Sequence, residues 1–71
     1  MAFIIQDFVT RQYIKDSIFK NQLPLSKEKQ NAKEFSRKGN AENLIKSMHE
    51  KFNNPFFLHN IENNESFLII K

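Results

Sequence analysis

His49 and His59 are the only side chains in this 71-residue sequence that exchange a proton readily near neutral pH. Acid–base catalysis or imidazole metal ligation would have to run through them. Either needs partners at set spacing: a nucleophile and an orienting acid, or further ligands to complete a coordination shell. Neither histidine has them, because the carboxylates are scattered and there is no cysteine. A phosphate-cradling loop needs several glycines, and Gly39 is the only one. The chain is therefore read as a non-enzyme, with no catalytic residue, cofactor or metal.

Charge is distributed more informatively than catalytic groups. Between Arg11 and Lys38 stand eight basic residues, Arg11, Lys15, Lys20, Lys27, Lys29, Lys33, Arg37 and Lys38, against three acidic ones, a net +5. The rest of the chain has three basic against five acidic residues, a net −2. Such asymmetry suits phosphates or an acidic protein surface, and these eight residues are the candidate partner-binding set. Tyr13 and Phe19 are interleaved with Arg11, Lys15 and Lys20, which sets stacking faces beside phosphate-neutralising charges. The blander account makes the phenylalanines core and the lysines a solvated face. No nucleic-acid-binding signature decides between the two.

The elements that position these groups begin with the most regular stretch, 40–70. Ala41, Leu44, Ile45, Met48 and Phe52 fall on one stripe of a helix over about 40–52. Asn40 is the expected N-cap, and Asn53, Asn54 and Pro55 end the helix. His49 falls near the border of its polar face. A hairpin follows, Phe56 to Ile61 and Phe67 to Ile70, around the polar cluster Glu62-Asn63-Asn64-Glu65. Phe56 and Leu58 share one face of it; Phe57, His59 and Ile61 share the other. Ala2 to Val9 reads as a strand, with Phe3, Ile5 and Val9 on one face and Ile4 and Phe8 on the other. A helix there is the alternative, since Ile4 and Phe8 are four apart.

Residues 10–29 fit neither period, and Pro24 excludes a continuous helix or a central strand. This excursion is expected to hold one more short strand or turn and to lay Ile18, Phe19, Leu23 and Leu25 over apolar sheet surface. Gln30 to Phe35 reads as a strand, or else as part of a helix capped by Ser26 with Gly39 at its end. Gly39 marks a break either way. The expected fold is α+β, one domain over 1–71: an antiparallel sheet of three to five strands with the helix on one face. Because the first strand, expected inside the sheet, and the last are apolar on both sides, the second face needs covering by the excursion or by a second copy in a homodimer.

No run approaches the roughly 20 apolar residues that span a bilayer, and MAFIIQDF has no basic start of the kind a signal peptide carries. A soluble, cytoplasmic protein is expected, with no membrane partner.

The opening strand AFIIQDFV, the helix AENLIKSM and the closing hairpin IEN…FLIIK together resemble the layout of small phage-encoded anti-CRISPR proteins, over about two-thirds of the chain. No individual functional residue carries over. The resemblance implies a stoichiometric inhibitor whose partner is a protein or nucleoprotein complex, such as a CRISPR effector blocked from its target. The alternative is a small basic protein that binds nucleic acid directly.

Overall fold

A computed structural model describes residues 2–69. In chain order it contains β1 (Phe3–Asp7), β2 (Tyr13–Ile14), β3 (Leu25–Ser26), α1 (Lys38–Phe52), β4 (Phe56–Asn60) and β5 (Glu65–Ile69). The strands form one antiparallel sheet in the order β3-β2-β1-β4-β5. The helix packs on one side of it, and the fold is α+β. No helix among the described residues is long and apolar enough to cross a membrane.

Alternation along the strands decides what each face carries. Phe3 and Ile5 of β1, Ile14 of β2, and Phe56 and Leu58 of β4 point to the helix, where they meet Ala41, Ile45 and Met48. Those three helical positions are fully buried, and Leu44 and Phe52 flank them half-buried. β1 pairs with β4 from Phe3↔Asn60 to Asp7↔Phe56, and β4 with β5 from Phe56↔Ile69 to Asn60↔Glu65. This register places Phe67 and Ile69 on the helix side, and Ser66 and Leu68 on the other. Ile70, assigned to the closing strand by its pattern, lies outside the described residues.

The helix departs from expectation at its start. It begins at Lys38, with Arg37 at the cap position and no side-chain capping bond, so Asn40 and Gly39 lie inside the first turn. Gly39 is therefore no break. The first amides of a helix have no intrahelical acceptor anyway, so glycine's weakness costs little there. The Lys38 ammonium sits 4.4 Å from the Phe67 ring centroid, a tertiary contact that holds this turn in place of a cap. The other end behaves as read: Asn53 takes the left-handed conformation, and its N–H donates to the His49 carbonyl.

Residues 30–35 form neither the strand nor the alternative helix. Lys29–Asn31 make a single 3-10 turn. Ser26 Oγ accepts from the Glu28 N–H and the Asn31 side-chain amide, but the turn starts at Glu28 without a side-chain cap, so Ser26 caps no helix. Phe35 and Phe3 then exchange both backbone hydrogen bonds at 2.8 Å. β2 is too short to pair β1 as far as Phe3, and Phe35 supplies the missing partners.

The 10–29 excursion yields two strands of two residues each, β2 and β3. Phe19, Leu23 and Leu25 pack on the helix-side core, with the Phe19 ring 5.7 Å from that of Phe52. Ile18 does not join them; it is 73% exposed, and the Asp16 carboxylate accepts its N–H. Val9, past the end of β1, is exposed as well. The excursion enlarges the core already under the helix and leaves the second face largely open. Among the described residues only Ile4 is buried on that face, where Lys29, Gln30, Ala32 and Glu34 gather around it and Ile61.

His49 lies inside the core and not at the helix border. Its ring is edge-on to Phe56 at 5.5 Å, and neither ring nitrogen has a hydrogen-bond partner among the described residues. A buried polar group left unpaired costs about 1–3 kcal/mol. His49→Leu, similar in bulk, is expected to raise the melting temperature by roughly 4–8 °C for each kcal/mol recovered. A fall in melting temperature would mean that the imidazole is satisfied after all.

Candidate functional site

The open side of the sheet carries the candidate site, and a turn at one end sets it up. Asp7 is fully buried. Its carboxylate accepts from the Val9 N–H at 3.2 Å, the Thr10 hydroxyl at 2.9 Å and the Asn54 amide at 3.5 Å. The Asp7 N–H donates to the Gln12 carbonyl, and the Arg11 N–H closes back on the Asp7 carbonyl. This tight return forces Arg11 to φ 63°, a left-handed conformation that costs a side-chain-bearing residue about 1–2 kcal/mol. It also swings the Arg11 guanidinium over two rings on the open face, 4.7 Å from the Phe8 centroid and 5.3 Å from that of Phe57. Phe8 and Phe57 are 5.4 Å apart. His59, two residues along β4, lies 5.7 Å from Phe57 with the planes inclined by 27°.

A polar chain across the strands fixes these groups. The Gln6 amide nitrogen donates to the Arg11 carbonyl at 2.8 Å, which turns Gln6 Oε1 toward His59 Nε2, also 2.8 Å away. Nε2 therefore carries the proton. His59 Nδ1 is the acceptor, and the Ser66 hydroxyl donates to it at 2.7 Å. β5, β4, β1 and the Arg11 turn are thereby joined by side chains as well as by the sheet.

Burial, and after it the positive charge of Lys29, hold the His59 pKa below its ordinary 6.5. The folded state thus prefers neutral His59, and its contribution to stability is fully present above pH 6.5. As pH falls below that value the unfolded chain takes up the proton first, and stability drops until folded His59 titrates too. Thermal melts at about pH 7.5 and about pH 5.5 should show this loss, and Lys29→Gln should reduce it. An identical loss in His59→Gln would assign the effect to other groups.

Beside His59 is a cleft of about 120 Å³, lined by Tyr13, Lys29, His59, Asn64 and Ser66 among others. Tyr13 reaches this face because it pairs with Gln6 across β1 and β2. Leu68, paired with Phe57, is 45% exposed at the β5 edge.

The eight basic residues do not gather in one place. Arg11 and Lys29 stand on the open face. Lys38 lies over Phe67 on the helix side, and Lys33 is 5.7 Å from the Phe35 ring. Lys15 and Lys20 border a depression with Ile18 and Phe19, while Lys27 and Arg37 are exposed. Sequence reasoning did not single out Gln6, Phe8, Phe57 or Ser66. The available signal was the alternation of the hairpin, which sets Phe57 and His59 opposite Phe56 and Leu58. No group of three or more metal-ligating side chains occurs among the described residues.

The fold and site define a small α+β domain with one covered sheet face and one open face that carries rings and cations. No protein-family model matches the chain, and no curated protein or solved structure is significantly similar to it.

Proposed function

We propose that this chain is a non-enzymatic binding module that engages a nucleoprotein complex through the open sheet face. It would act by stoichiometric occupancy, as an inhibitor of the anti-CRISPR type does. The supporting observation is the preset group of Arg11, Phe8, Phe57 and His59, with Leu68 exposed beside it. Aromatic and arginine side chains dominate the energetics of interfaces. Groups already held by their neighbours lose little entropy on binding.

Arg11→Gly and Leu68→Lys test the reading. The first removes about 0.5–1 kcal/mol of cation–π contact but relieves about 1–2 kcal/mol of left-handed strain, so the fold is kept. The wild-type protein, used as bait in extracts of its host, should retain one complex at a fixed stoichiometry, and both variants should lose it. Equal retention by both variants would overturn the use of this face. Self-association that disappears in Leu68→Lys would give the face to a second copy of the chain instead.

A further inference from the structure

We infer that the open face takes single-stranded nucleic acid, with one base seated in the cleft between Tyr13 and His59 and the backbone held by Lys29 and Arg11. The inference rests on the open face being the contact surface, and it names the component of the partner that touches it. The cleft has ring-bearing walls in Tyr13 and His59, a cation in Lys29, and a volume of about 120 Å³ that suits a single heterocycle. Base–aromatic stacking and backbone neutralisation are the two interactions that single strands use, and both are present here.

Two further features favour a strand over other ligands. The His59 ring edge is already occupied, since its two nitrogens bond Gln6 and Ser66 and the Gln6 amide also bonds the Arg11 carbonyl. What His59 offers a ligand is its ring plane, and Tyr13 and Lys29 add a second ring and a cation, so stacking and charge carry the binding. The cations also lie apart, Arg11 by Phe8 and Phe57 and Lys29 by His59, so a polyanion can satisfy both, while a lone mononucleotide phosphate meets one. Glu65 lines the same cleft as Lys29, and Glu34 shares a second depression with it; these carboxylates oppose phosphate there and keep the backbone contacts few.

The sequence supplies its own reporter: Tyr13 is the only tyrosine and there is no tryptophan. The probe is a fluorescein-labelled oligothymidine of about ten nucleotides, within the roughly 4–16 that small single-strand sites cover. Anisotropy should show binding at about 50 mM salt, with Tyr13 emission quenched by the unlabelled strand. Two phosphate contacts give a log–log salt slope of about 1.4, hence a roughly sevenfold loss between about 50 and 200 mM salt. Lys29→Gln should reduce the slope to about 0.7. Tyr13→Leu should weaken binding by about 5- to 150-fold, and Tyr13→Phe should restore it. Lys29 is exposed, so its variant reads the site even if Tyr13→Leu fails to fold.

Absence of binding at about 50 mM salt, binding with undiminished Tyr13 emission, an unchanged slope in Lys29→Gln, or equal affinity for a duplex of the same length would each overturn the inference. If the oligonucleotide fails to bind while Arg11→Gly and Leu68→Lys still abolish capture of the complex, the face contacts protein. The strand is then excluded and the proposed function stands.

Discussion

Phe56→Ala is expected to unfold the domain. Phe56 is the largest side chain buried without residual exposure, and it stands at the centre of the helix-side core. Truncating such a ring costs about 3–5 kcal/mol. A single core in a chain this short supplies roughly 3–5 kcal/mol in total, and the sequence has no cysteine for a disulfide to add to it. Met48→Ala, at a position equally buried, should cost about 2–5 kcal/mol. Leu44 is half-buried at the flank, so Leu44→Ala should cost less than Met48→Ala. Lys46 is exposed, and Lys46→Ala should stay within about 0.5 kcal/mol. Urea denaturation of the four variants checks the ranking. Equal midpoints for Phe56→Ala and Lys46→Ala would disprove the face assignment of β4 and α1.

The faces behind that ranking, though not the half-exposure of Leu44, were legible in the sequence because Ala41, Ile45, Met48, Phe56 and Leu58 sit in long, periodic elements. A 3.6-residue or two-residue repeat over several residues carries its own direction. β2 and β3 have two residues each, too few to establish any repeat. Their existence depends on pairing with other segments: Tyr13 with Gln6, Leu25 with Ile14. Phe35 is a stronger case, since its two backbone bonds go to Phe3, thirty-two positions away in the sequence. No local propensity encodes such a pairing. The helix start was missed for the same reason, because Lys38 is held by Phe67 and not by a capping neighbour.

The site was legible only in part. Of the eight basic residues read as the partner-binding set, Arg11 and Lys29 lie on the open face. Tyr13, weighed with Phe19 as a stacking face among the cations, lies there too, whereas Phe19 packs on the core beside Phe52. The remaining basic residues in that set are spread over the helix side, the 15–25 excursion and exposed turns. A net charge counted along a chain says nothing about which side of a sheet it reaches. Phe8 and Phe57 were counted as core or as surplus apolar surface. Their contact with Arg11 exists only because the turn after β1 brings the guanidinium over them. Gln6 and Ser66 have no one-dimensional signature, because they matter only through His59 standing between them.

Asp7→Ala is the second change with a large expected effect, and it joins the fold to the site. The Asp7 carboxylate is fully buried and accepts from the Val9 N–H and the Thr10 hydroxyl, with the Asn54 amide at the limit of bonding distance. Hydrogen bonds to a charged acceptor contribute about 1.5–3 kcal/mol each. Losing the two good ones should cost about 3 kcal/mol or more, comparable with truncating Met48. Thr10→Val removes the bond to Asp7 and the longer, exposed one that the hydroxyl accepts from the Gln12 N–H, and should cost about half as much or slightly more. Asp7→Asn keeps the shape but replaces one oxygen by a donor; the Thr10 hydroxyl can turn to accept from it, so the bonds lose their charge assistance and an intermediate cost is expected. The same turn imposes the left-handed backbone at Arg11. Where the turn relaxes, the guanidinium leaves Phe8 and Phe57 and the open face loses a cation. In proton NMR, the Arg11 side-chain signals should be shifted upfield by the two rings in the wild-type protein. They should return toward random-coil positions in Asp7→Asn under conditions where that variant is still folded. If Asp7→Asn matched the wild-type protein in both melting temperature and Arg11 shifts, the buried carboxylate would not be what positions Arg11 over the rings.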